Sequence, residues 1–68
     1  MMIKLTSAGN AMMELWLNTT VISSVFQPTE NERDMGIGAK VYITGEDSPW
    51  LVAESVREVV DLIERASR

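Results

Sequence analysis

The sequence predicts a small α+β fold, in which a twisted antiparallel sheet of about five short strands is packed on one face by a C-terminal amphipathic helix. Short segments alternate apolar and polar residues with the period of two that half-buried strands require. Clusters of Gly, Asn, Pro and Ser separate these segments, as turns demand. The last part of the chain, residues 50–63 (WLVAESVREVVDLI), then changes to helical spacing. Val56, Val59, Val60 and Ile63 recur at i, i+3, i+4 and i+7 and define one helix face.

Taken in order, residues 2–6 (MIKLT) set Ile3 and Leu5 opposite Lys4 and Thr6 and read as the first strand. Ser7-Ala8-Gly9-Asn10 supplies a turn into residues 13–18 (MELWLN), giving an antiparallel hairpin. In this second strand Met13, Leu15 and Leu17 share a face, whereas Glu14, Trp16 and Asn18 share the other. Trp16 therefore points away from the leucines. Asn18-Thr19-Thr20 reads as a corner, because these side chains compete with the ladder for nearby backbone. Residues 21–26 (VISSVF) form the third expected strand, with Ile22 and Phe26 on one face and Val21 and Val25 on the other.

Residues 27–38 (QPTENERDMGIG) are expected to be a mobile, solvated acidic hairpin loop. Glu30, Glu32, Arg33 and Asp34 are its candidate partner contacts. Residues 39–44 (AKVYIT) alternate again, residues 45–49 are a turn by composition, and residues 50–53 form a last short strand. A helix over residues 56–66 follows, started by Ser55 as N-cap with Glu58 completing a capping box. Its outer face carries Arg57, Glu58, Asp61, Glu64, Arg65 and Arg68, a solvated surface with charges spaced four apart.

The 68 residues suffice for a single domain, and a chain of this length buries too little surface to be more than marginally stable. Cysteine and histidine are both absent, so neither a disulfide nor the commonest zinc ligand can reinforce it. With 46% apolar residues, tight packing and self-association are the remaining sources of stability. A homo-oligomer is therefore expected, all the more because the second and third strands carry apolar residues on both faces. The net charge of −4 and the dispersed basic residues do not make the stripe that nucleic-acid binding uses. No apolar run approaches a membrane span, and the N-terminal segment lacks a signal-peptide layout, so a cytoplasmic location is the default expectation.

No motif for chemistry survives inspection. Glu30-x-Glu32-x-Asp34 imitates the start of a calcium loop, but Met35 and Val41 occupy the positions that need Gly and a bidentate Glu. Gly36-x-Gly38-x-Lys40 leads into a strand, not into the helix that a phosphate loop requires. Glu14 and Glu54 would serve catalysis only if they converged in a deep pocket. The expectation is thus no enzyme, no catalytic or metal residues and no cofactor. The tryptophans are more informative, since Trp is enriched among interface hot spots. Met12, Met13, Trp16 and Trp50 are the candidate interface residues, the methionines supplying adaptable apolar contact.

The C-terminal pattern Val52-x-Glu54-Ser55-Val56-x-Glu58-Val59-Val60-x-x-Ile63 resembles the FlbD-like (swarming-motility) family of short bacterial proteins, which has phage and prophage look-alikes. Ile3-x-Leu5-Thr6, the Gly/Asn turn, Leu15-Trp16-Leu17-Asn18 and Ile22 agree with it too. The likeness covers most of the chain outside residues 27–38. Thr19 stands where that family commonly has Pro, and here Gly9 precedes Asn10. The resemblance implies a small cytoplasmic bacterial or phage protein linked to flagellar functions, and it supplies no catalytic residue. The function expected is a non-enzymatic protein-interaction module, binding itself and a larger protein complex. The alternative is a partly closed, SH3-like small barrel that binds nucleic acid or regulates through Lys4, Lys40 and Tyr42.

Overall fold

The computed structural model describes residues 1–8 and 13–67. Its elements are β1 (Met2–Thr6), β2 (Glu14–Asn18), a 3₁₀ turn (Thr19–Val21), β3 (Ile22–Phe26), α1 (Glu30–Asp34), β4 (Ala39–Ile43), β5 (Trp50–Val52) and α2 (Val56–Ala66). The fold is α+β. In place of one five-stranded sheet there are two antiparallel sheets, β1-β2 and β3-β4-β5. They touch where Ser7 and Val52 form an isolated bridge. Ala8 N–H donates to the Leu51 carbonyl and Ala53 N–H to the Thr6 carbonyl, each at 2.8 Å.

The β1-β2 ladder runs in unbroken register from Met2 opposite Asn18 to Thr6 opposite Glu14. Because side chains alternate across a strand, Ile3, Leu5, Leu15 and Leu17 share the inner face. Ile3, Leu5 and Leu17 are buried there with Ala39, Val41, Val52 and Val59, so both sheets and α2 contribute to one core. Leu15, Ile22, Val25 and Ile43 pack at its margin.

The third strand corrects the expected face assignment. Ile22 pairs with Ile43 but Ser24 pairs with Tyr42, so Ser23 is an extra, bulged residue. The bulge resets the alternation and brings Ile22 and Val25 to the same side. Phe26 is left outside, where its ring meets that of Tyr42 edge-on at a centroid distance of 5.3 Å. Val21 belongs to the 3₁₀ turn and is exposed. The Asn18 side chain caps that turn by accepting from Thr20 N–H at 3.1 Å.

The expected mobile loop over residues 27–38 is also corrected, because it contains α1. Thr29 and Glu32 form a capping box there, with Thr29 N–H donating to Glu32 Oε1 at 2.7 Å. Pro28 and Ile37 on either side are buried and anchor the segment. Gly36 adopts φ 89°, which ends the helix in the left-handed region that only glycine enters freely. Gly38 is needed for a different reason. Its N–H donates to the Val52 carbonyl at 2.7 Å, and a Cβ at this position would collide with the backbone of Ala53 and Glu54.

Helix α2 starts at the Ser55–Glu58 capping box and packs against β1, β3 and β4. Val59 is completely buried, with Val56, Leu62, Ile63 and Ala66 around it. Val60, expected on this face, is 38% exposed, and Leu62 takes its place. Arg57, Asp61 and Arg65, though spaced four apart, form none of the ion pairs that close within 4.0 Å among the described residues. Arg68 lies outside the described residues.

Candidate interaction surface

The register of β1-β2 that sends the leucines inward also determines the composition of the outer face. Lys4 stands opposite Trp16, Met2 opposite Asn18 and Thr6 opposite Glu14. Met2 and Trp16 are therefore diagonal neighbours, within reach of one another for side chains of their length. Met2 is 52% exposed and Trp16 54%, while Met13, just before the strand, is 65% exposed. An indole normally removes roughly 150–250 Å² from water when it is buried, so leaving Trp16 outside forfeits a large stabilisation. The polar atoms nearby are ordered. Glu14 Oε2 accepts from Trp16 Nε1 at 3.4 Å, and Lys4 Nζ lies 3.6 Å from Glu14 Oε1.

The structure brings Met13 and Trp16 to one hairpin but sets Trp50 elsewhere. Trp50 begins β5, is 40% exposed, and donates from Nε1 to Glu46 Oε2 at 3.0 Å across the preceding turn. Met12 lies outside the described residues. Met2 was missed as a candidate, although the hairpin register places it beside Trp16 and the MIKLT alternation already put it on that face.

The acidic contact residues behave as structural parts of α1. Glu32 Oε1 accepts from Thr29 N–H and the Glu32 N–H donates to Thr29 Oγ1, closing the capping box, and Oε1 lies 3.2 Å from Lys40 Nζ. The Thr29 backbone N–H and then Lys40 hold its carboxyl below the usual carboxylate range. Arg33 Nη2 donates to Gln27 Oε1 at 3.4 Å. Glu30 and Asp34 are exposed at the two ends of the helix.

Glu54 Oε1 accepts from Thr6 N–H at 2.8 Å, closing the end of β1 against the segment before α2. Glu14 lies on the outer hairpin face. Two open grooves run along α2, the larger of about 430 Å³ and lined by Gln27, Val56, Arg57, Val60, Asp61 and Glu64. Neither groove includes Glu14 or Glu54. Among the described residues, no group of three or more His, Cys, Asp or Glu side chains could hold a metal ion. No helix is long and apolar enough to cross a membrane among the residues described.

The residues of the nucleic-acid alternative do not assemble. Lys40 and Tyr42 share a face of β4, whereas Lys4 belongs to the other sheet. Each lysine already pairs with a carboxylate, and Tyr42 packs on Phe26. In comparisons with known proteins, the chain matches no family model, no curated protein and no solved structure.

Proposed function

We propose that this chain is a non-enzymatic protein-interaction module that works through the outer face of the β1-β2 hairpin. The observation that carries this reading is the exposed apolar pair of Met2 and Trp16 on the outer face of a regular, well-registered ladder. Solvent-exposed aromatic and methionine side chains beside a polar rim are the composition of an interface centre. The short chain supplies a second reason, because a small core without disulfides gains stability by covering such a face. Its partners in this reading are another copy of itself and a larger protein complex. The resemblance to FlbD-like proteins supports a cytoplasmic bacterial or phage setting in which such an assembly operates.

Sedimentation of the pure protein over micromolar concentrations tests the reading. Self-association that Trp16→Ala abolishes, while α2 keeps its helical circular dichroism, is the expected result. A chain that stays monomeric, and whose Trp16→Ala variant captures the same proteins from the native host as the wild type, would overturn it.

A further inference from the structure

The free edge of β2 allows this reading to be taken to a specific partner and register. Ser7 N–H donates to the Met13 carbonyl and Thr19 N–H to the Met1 carbonyl, both at 2.8 Å. In an antiparallel ladder the bonded pairs alternate, so Leu15 and Leu17 also spend their backbone groups on β1. The N–H and carbonyl of Glu14 and Trp16, and the N–H of Asn18, therefore point to the opposite side. Among the described residues nothing pairs with that edge.

A second sheet edge, β3, is interrupted by the Ser23 bulge, a device that hinders strand addition. Strand β2 has no bulge and no proline. Its edge is flanked on one face by the half-buried Leu15 and on the other by the exposed Trp16.

We propose that a second copy of the chain adds to this edge, β2 antiparallel to β2, with the two-fold axis at Trp16. The inference rests on the reading of this hairpin as an interaction face. In this register Trp16 of each copy exchanges both backbone bonds with Trp16 of the other. Glu14 of one copy faces Asn18 of the other, and Leu15 faces Leu17 on the inner side, extending the apolar core across the axis. The two indoles lie side by side on the outer face, flanked by Met2.

The axis at Trp16 is the one that engages all three outward-facing residues, Glu14, Trp16 and Asn18, and charge agrees with it. Centring the axis on Glu14 would set carboxylate against carboxylate, which opposes pairing. Centring it on Asn18 would push the ladder into the 3₁₀ turn at Thr19–Val21. With the axis at Trp16, each carboxylate meets a neutral amide. The strand is thus self-complementary under a two-fold operation, which is the condition for an isologous dimer.

The absence of native cysteine makes a direct trap possible. Opposed residues in a bonded antiparallel pair have Cα atoms roughly 5.5 Å apart, within disulfide range. Positions 14 and 18 of one strand are roughly 13 Å apart and cannot bridge to each other. A Glu14→Cys/Asn18→Cys double variant, mildly oxidised at a concentration where the wild type associates, is expected to become mostly covalent dimer. The two single variants are expected to stay uncrosslinked.

Trp16→Glu, which sets two carboxylates across the axis, is expected to weaken association at least tenfold. The matching Trp50→Glu change is expected to leave association unaltered. Covalent dimer from Glu14→Cys alone would overturn the register. A wild type that associates and loses association on Trp16→Glu, while the double variant does not crosslink, would overturn edge pairing but leave the interaction module standing. A wild type that remains monomeric at hundreds of micromolar would overturn this inference.

Discussion

Ile3, Leu5 and Leu17 stand on one face of the β1-β2 hairpin, and Met2 and Trp16 stand on the other. The inner three are 5%, 0% and 9% exposed, whereas the outer two are 52% and 54% exposed. The same ladder, with the same alternation, thus carries one apolar face into the core and leaves a second in water. The inner face is covered because α2 and both sheets converge on it. The outer face has no such cover from the described residues. An apolar face finished by the chain itself supports folding, and one left open on an equally regular ladder is material for association.

The largest expected effects lie on the covered side. Leu5→Ala should cost about 3 kcal/mol, because it removes buried methyl groups from a site that cannot collapse. For a domain of this size that lowers Tm by roughly 15 °C. Gly38→Ala should cost a similar amount, about 3 kcal/mol, since its Cβ has no space against the Ala53 and Glu54 backbone. Urea midpoints measure both. If Leu5→Ala leaves the midpoint unmoved, the inner face is not the core described.

The two capping boxes should respond unequally. Ser55→Ala should cost about 1 kcal/mol, because it frees an N–H at the start of the helix that carries buried Val59. Thr29→Ala should cost less in global unfolding, because α1 itself buries no residue. Glu32 adds a pH dependence with a definite sign. Its carboxyl is held below its ordinary value, so its contribution is present above that value. That contribution is lost as pH falls through the lowered one. Acidification through that lowered value should therefore loosen the Thr29 amide, as amide exchange would show. The smallest stability effect belongs to the open face. Trp16→Ala should change monomer stability by no more than about 0.5 kcal/mol while abolishing association.

The sequence made α2 legible because an eleven-residue helix shows both a cap and a period. Helix α1 has the same Thr-x-x-Glu signature, but five residues are too few for a period, and its Pro and Gly neighbours look like a loop. The third strand departs from its sequence pattern for a different reason. Alternation counts residues, and the bulge at Ser23 inserts one that the count cannot detect. A spacing of three and four admits either Val60 or Leu62 beside Val59, and the way α2 packs on the strands decides for Leu62. The orientation of Trp16 away from the leucines is legible, since its strand is regular and one strand of alternation is enough. Met2 needed the pairing register as well, which no single strand contains.

The amide of Trp16 provides the most direct test of the central claim, because it points away from β1 and has no partner among the described residues. Its hydrogen exchange can be followed from dilute to concentrated protein, with the inward amides of Leu15 and Leu17 as references. Edge pairing predicts that Trp16 exchanges fast in dilute solution and becomes protected as concentration rises, together with Asn18. A Trp16 amide that exchanges rapidly at every concentration, while the protein is demonstrably associated, would contradict the account.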